Sequence, residues 1–152
     1  MVKNKKPKVK STPRTRKIPK QAIDPDIYAQ HKACWAFSSM DCGGDFGWNK
    51  ATLKDLQEIR NVLCNLETMT WNEIFLEAKT QHHSCDVDFK AKKPSSIACK
   101  RLKEINMDDQ DKLWSIRLSG KKRLWGILDR GVFYILWWDP NHQVYPSKLK
   151  NT

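Results

Sequence analysis

Residues 113–138, LWSIRLSGKKRLWGILDRGVFYILWW, decide the fold of this chain. In the first part of this stretch, apolar residues recur at every second position, at Trp114, Ile116 and Leu118, which is the period of a half-buried β-strand. Ser119-Gly120 and Arg130-Gly131 have the composition of turns. These turns divide the stretch into strands at 113–118, 123–129 and 132–138. Short turns between consecutive strands predict an antiparallel meander, and the apolar third strand is typical of a central position.

The residues before the meander predict further strands and helices that cover the sheet. A first strand is expected at 33–40 and another at 84–89. A helix is expected at 50–66, with an apolar stripe and a capping box formed by Thr52 and Asp55. Thr70 and Glu73 form a second capping box before a short helix. A third helix begins at Ser95 or Ser96, with Ile97, Ala98, Leu102 and Ile105 facing inward. The sequence therefore predicts an α+β fold with a three- to four-stranded antiparallel sheet.

The positive charge of the chain is concentrated at the N-terminus. The 28 Lys and Arg residues exceed the 17 Asp and Glu residues, which gives a net charge of +11. Residues 1–20 hold nine basic residues and no acidic one, so the other residues carry 28 − 9 = 19 basic and 17 acidic groups. We expect a disordered basic arm at 1–22 and a single α+β domain at 23–152. The arm would bind phosphate backbones by counterion release, or serve only as a solubilising tail.

The composition argues against a membrane protein, a secreted disulfide-bonded protein and a metalloprotein. No apolar run reaches the roughly 18 residues of a membrane span, and no apolar segment follows the basic N-terminus as in a secretory signal. The five cysteines have no paired spacing, which favours free thiols in a reducing cytoplasm. His82, His83 and Cys85 could bind a metal with Cys34 or Cys42, but their spacing forms no closed tetrahedral set. We therefore expect a cytoplasmic protein without membrane contact, metal or cofactor.

Basic residues cluster around the first turn of the meander. Arg117, Lys121, Lys122 and Arg123 lie there, and His142 and Tyr145 follow the next strand. If Arg117 lies opposite Arg123, the two like charges repel unless an anion such as phosphate bridges them. The third helix presents Lys100, Arg101 and Lys103 as a further basic strip for RNA. Alternatively, the basic side chains are simply solvated, His142 caps a turn and Tyr145 lies at the rim of the core.

This pattern resembles the RelE/ParE toxin superfamily. The segment 114–124, WSIRLSGKKRL, is similar to the strand-turn-strand of its YoeB-like ribonuclease members, and the resemblance covers roughly the last 60 residues. It implies a RelE-like fold and an endoribonuclease that cuts mRNA, commonly in the ribosomal A site. It also implies an antitoxin protein as partner. The reaction would be attack of the 2′-hydroxyl on the adjacent phosphate, without a metal or cofactor.

The resemblance assigns roles to particular residues. His142 would be the acid or base because imidazole titrates near neutral pH. Arg117 and Arg123 would stabilise the charge on the phosphate, and Lys121 and Lys122 would position the backbone. Two further catalytic candidates are Tyr145, which would orient a base or assist proton transfer, and Glu104. The latter is included because some members place a carboxylate at the end of the preceding helix.

Three alternatives remain open at the level of sequence. The same sheet could be a non-catalytic RNA- or ribosome-binding module, in which case binding would survive the substitution His142→Ala. A ParE-like protein would instead poison gyrase, because fold does not fix function. The chain could also be a protein-interaction factor of the kind found in phages and mobile elements.

Overall fold

The computed structural model describes residues 25–76, 84–88 and 93–146, so the arm expected at 1–22 lies outside the described residues. Two short 3-10 helices occur at Pro25–Tyr28 and Trp48–Lys50. The helices are α1 (Leu53–Leu66), α2 (Trp71–Leu76) and α3 (Ser96–Glu104). The strands are β1 (Cys34–Ala36), β2 (Ser84–Asp88), β3 (Lys112–Arg117), β4 (Arg123–Asp129) and β5 (Val132–Asp139). None of the helices in these ranges is both long and apolar enough to cross a membrane.

The five strands form one mixed sheet in the order β1-β5-β4-β3-β2. Strands β2 to β5 are antiparallel to their neighbours, but β1 runs parallel to β5, with Cys34 opposite Val132. The α+β class is confirmed, whereas the prediction of a purely antiparallel sheet is wrong. A parallel pair needs a long connection, and here the chain between β1 and β5 contains the helices α1, α2 and α3 and the strands β2, β3 and β4. Local periodicity identifies a strand but does not reveal which distant strand it joins or in which direction.

A bulge in β5 explains its continuous apolar sequence. Trp125 of β4 lies opposite Trp137, but the next residue, Gly126, lies opposite Ile135. Leu136 is therefore the extra residue of a β-bulge. As a result Leu136 and Trp137 both pack into the same core cluster, on the α3 side of the sheet. The structure confirms that β5 is central, since it lies between β1 and β4.

Helices cover the sheet on both faces. The core on one face joins α1 and α2 to Leu124, Phe133, Ile135 and Trp138. The core on the other face joins Ala98 and Leu102 of α3 to Leu113, Trp125, Leu136, Trp137, Val144 and Tyr145. Ile97, predicted to face inward, is 51% exposed. It lies about 100° around the helix from Ala98, outside the buried stripe that Ala98 and Leu102 define.

The predicted capping boxes are present. Thr52 Oγ1 accepts a hydrogen bond from Asp55 N, and the Asp55 carboxylate accepts one from Thr52 N. The same reciprocal bonds join Thr70 and Glu73. Ser95 caps α3 by accepting from Ala98 N. These local bonds fix the starts of α1, α2 and α3 and are readable from sequence because each spans only three residues.

Candidate nucleic-acid interface

Arg117 and Arg123, here called the arginine pair, lie directly opposite each other on β3 and β4. The juxtaposition that the sequence left as a condition is therefore present in the structure. Directly opposite residues share a face of the sheet, and Trp125, two residues along β4, packs on the α3 side. The arginine pair thus belongs to the face that α3 covers. Arg123 Nη1 donates to the backbone oxygens of Gly120 at 3.0 Å and Lys122 at 2.9 Å, so the turn orients this guanidinium.

The loop after β5 lies at the same end of the sheet as the arginine pair, because Arg123 is the register partner of Asp139. The Asp139 side chain is buried and accepts hydrogen bonds from Gln143 N at 2.8 Å, Val144 N at 2.9 Å and Trp125 Nε1 at 3.2 Å. These bonds close a turn in which His142 has a positive φ of 57°. Such a backbone costs about 1–2 kcal/mol for a residue with a Cβ. The carboxylate of Asp139 therefore holds His142 in a strained position.

Lys122 is directed toward α1. Its ammonium lies 2.6 Å from the Glu58 carboxylate and 3.3 Å from that of Asp55, and Ser119 Oγ donates to Glu58. The hydrogen bond to Glu58 is the main reason that the pKa of Lys122 is raised, and the pKa of Glu58 is correspondingly lowered. Lys121, one residue earlier, is exposed. The structure therefore separates two lysines that the sequence treats alike: Lys122 is neutralised by α1, whereas Lys121 faces solvent.

The three basic residues of α3 also differ. Arg101 forms a bidentate pair with Asp41, with Nε 2.8 Å from Oδ2 and Nη2 2.7 Å from Oδ1, and its Nη1 lies 2.9 Å from Glu104. The Lys100 side chain is 81% exposed, and Lys103 is exposed. Arg101 thus fastens the segment around Asp41 to α3, and the exposed charge on this helix is supplied by Lys100 and Lys103.

Asp41 is the centre of a buried polar cluster that the sequence did not reveal. Its carboxylate also accepts hydrogen bonds from Trp137 Nε1 at 2.9 Å and from Gly43 N at 3.0 Å. Burial by itself would raise the pKa of Asp41, but the bonds from Arg101, Gly43 and Trp137 outweigh it and lower the pKa. No sequence signal identifies this cluster, because the two side chains that bond to Asp41, those of Arg101 and Trp137, lie 60 and 96 residues away.

Two of the catalytic candidates are placed away from the exposed end of the sheet. Tyr145 is 4% exposed, and its ring centroid lies 5.4 Å from that of Trp125 within the core. The N-terminus of α3 contacts the loop after β5 through Ser95 N and Val144 O, at 2.8 Å. Glu104 ends this helix, about 12 Å further along its axis. The structure therefore brings the arginine pair and His142 to one end of the sheet, with Glu104 at the distant end of α3.

An open apolar groove of about 580 Å³ lies between β1 and α1. Trp35, Phe37 and Leu56 contribute to its walls, and Phe37 is 61% exposed. The Trp35 indole N–H is buried and has no hydrogen-bond partner among the described residues. The sequence predicts a strand at 33–40 and an apolar stripe on α1, but it does not reveal the groove between them, because periodicity does not distinguish a covered face from an open one.

The candidate metal ligands are only partly within the described residues. His82 and His83 lie outside them, and nothing is described of the Cys85 side chain. Cys34 and Cys42 are exposed free thiols.

Comparison with family models, with curated proteins and with solved structures found no match for this chain. The resemblance to the RelE/ParE superfamily therefore stays a prediction based on the residues of the C-terminal meander.

Proposed function

We propose that this chain binds RNA by its phosphate backbone, at the end of the sheet formed by the β3–β4 turn and the loop after β5. The observation that carries the proposal is the arginine pair. Two guanidiniums on directly opposite residues of one sheet face present two sets of N–H donors to the same phosphate. Arginine binds phosphate through a planar fork of donors, which suits this arrangement.

The distribution of charge supports a backbone-directed mode of binding. Lys121 lies exposed in the turn beside the arginine pair, and Lys100 and Lys103 are exposed on α3. The nine basic residues within 1–20 would add affinity by releasing counterions, without reading sequence. Single-stranded mRNA and ribosomal RNA are the ligands we propose, in keeping with a cytoplasmic, ribosome-associated protein.

A second candidate function is cleavage of that RNA by a toxin-like endoribonuclease with a RelE-like fold. The observation that favours it is the position of His142 at the same end of the sheet as the arginine pair, on a strained backbone. His142 would accept the 2′-hydroxyl proton as the 2′-oxygen attacks phosphorus and the bond to the 5′-oxygen breaks, with water protonating the leaving oxygen. The arginine pair would stabilise the added negative charge. An antitoxin protein would then be the expected partner.

Binding is tested by titrating single-stranded RNA at several salt concentrations with matched arginine variants. Arg123→Gln removes a charge from the proposed site. Arg130→Gln removes the same charge from the β4–β5 turn at the opposite end of the sheet, where the side chain is 66% exposed beside Asp129. We expect Arg123→Gln to weaken binding about tenfold and to lower the salt slope by about one, with little effect of Arg130→Gln. Equal effects of the two variants would refute the site.

Cleavage is tested by inducing the protein in cells and mapping RNA 5′-ends. If the wild type cuts mRNA and His142→Ala does not, while RNA affinity is unchanged, His142 acts in the chemistry. If the wild type binds RNA and leaves translated mRNA intact, the enzymatic candidate is refuted and RNA binding remains.

A further inference from the structure

A cleft of about 300 Å³ with both polar and apolar walls opens beside the loop that carries His142. Ile97 and Pro140 form apolar parts of its wall, and Asn141 and Gln143 contribute side chains on either side of His142. Lys50 and Asp45 also line the cleft and form an ion pair at 3.5 Å. The cleft lies within the lower size range of small-ligand sites and is too small for a helix or a folded partner.

One residue of the cleft wall lies on the strand beside the arginine pair. Asp139 lines it and is the register partner of Arg123, which in turn lies opposite Arg117. Neighbouring strands are about 4.8 Å apart, so one and two strand spacings separate Asp139 from the two arginines. Ile97 belongs to α3, which covers the same face of the sheet as the arginine pair. The backbone of the arginine pair therefore lies within about 10 Å of one residue of the cleft wall.

The chemistry of the walls matches an unpaired nucleobase. Ile97 is 51% exposed, although it is a large apolar residue on a short helix, and with Pro140 it offers an apolar surface to the face of a base. The side-chain amides of Asn141 and Gln143 each carry donors and an acceptor, which is what the edge of a base requires. Neither amide has a hydrogen-bond partner among the described residues. The carboxylate of Asp139 is already engaged by three donors, so recognition falls to the two amides.

We propose that this cleft binds one unpaired nucleobase of the RNA whose phosphate lies at the arginine pair, and that Asn141 and Gln143 determine which base is preferred. This inference rests on the proposed RNA-binding function and adds base preference to it. Duplex RNA is excluded from the cleft, because a base must leave its stack to enter.

The test compares RNA oligonucleotides of each single base with an abasic oligonucleotide that has the same number of phosphates. We expect the wild type to bind its preferred base about tenfold more tightly than the abasic chain. The double variant Asn141→Ala, Gln143→Ala should lose the difference among bases and keep the salt slope. Ile97→Ala should weaken binding only to oligonucleotides that carry bases. Gln57→Ala, an exposed amide on α1, is the matched control and should behave as wild type.

The outcomes separate this inference from the function on which it rests. If the wild type binds the abasic and base-containing chains equally and Arg123→Gln weakens both, RNA binding stands and the nucleobase site is refuted. If neither kind of chain is bound at any salt concentration, the proposed function fails and the nucleobase site fails with it.

Discussion

Arg101 provides the sharpest test of how this structure uses its charged residues. The sequence places Arg101 in a basic strip for RNA, but the structure places its guanidinium on Asp41, which is 8% exposed. The substitution Arg101→Ala would remove two short charge-assisted hydrogen bonds from a buried carboxylate. We therefore expect Arg101→Ala to destabilise the fold and to leave the salt dependence of RNA binding unchanged.

The magnitude follows from the geometry of the pair. Breaking a buried ion pair by removing one partner costs about 3–5 kcal/mol. The lower end applies because Asp41 keeps its bonds from Trp137 and Gly43 and the Arg101 side chain is 23% exposed. A loss of about 3 kcal/mol, with a urea slope of about 2 kcal/mol/M, lowers the unfolding midpoint by about 1.5 M. The unfolding midpoint of Arg101→Lys should fall between those of the wild type and Arg101→Ala. A lysine ammonium keeps the positive charge but cannot form the bidentate pair that the guanidinium forms with Asp41.

Urea unfolding followed by tryptophan fluorescence measures this effect, with Lys100→Ala as the matched control. Lys100 lies on the same helix, is 81% exposed and is 4.0 Å from Glu104, so its removal should change stability by less than about 0.5 kcal/mol. Equal midpoints for Arg101→Ala and Lys100→Ala would contradict the reasoning. A wild-type midpoint for Arg101→Ala together with a weaker salt dependence of RNA binding would also contradict it, since that result would mean that Arg101 contacts RNA.

The lowered pKa of Asp41 determines how the contribution of the Asp41–Arg101 pair to the unfolding free energy depends on pH. A carboxyl group whose pKa is lower in the folded state stabilises the fold above its ordinary value of 3.8. This stabilisation is lost as the pH falls through the lower folded value. The difference in unfolding free energy between wild type and Arg101→Ala should therefore be full at pH 7 and shrink below about pH 3.8. A difference that grows on acidification would show that Asp41 is not the partner.

Three further predictions follow from neighbouring contacts. Lys121→Gln should weaken RNA binding in a titration and leave the urea midpoint unchanged. Lys122→Gln should lower the midpoint and change RNA affinity less, because Lys122 is paired with the carboxylates of α1. A larger loss of RNA affinity for Lys122→Gln than for Lys121→Gln would contradict this division. Gly126→Ala should cost about 3 kcal/mol, since its Cβ would lie 2.4 Å from a backbone oxygen and 2.6 Å from the Phe133 ring. Thr52→Ala should cost about 1 kcal/mol in thermal unfolding through loss of the α1 cap.

The parts of the fold that were predictable from sequence depend on short-range contacts. The meander, its turns and the starts of α1 and α2 follow from periodicity and from hydrogen bonds across three residues, as at Thr52. The sequence also indicated the arginine pair as one possible register, because a short turn limits how the strands that it joins can pair. The continuous apolar run also identified β5 as central, although the bulge at Leu136 is visible only in the pairing register of β4 and β5.

The sequence by itself therefore determined the helices, the strands of the meander and the basic cluster at their first turn, since these depend on residues close together in the chain. The tertiary structure alone decided the parallel pairing of β1, the choice of Asp41 as partner for Arg101, and the difference between Lys121 and Lys122. It also placed the Tyr145 ring in the core and opened the cleft beside Asn141. These features depend on which distant segments pack together. The arrangement that buries most apolar surface over the whole chain is favoured, and a local sequence pattern does not contain that information.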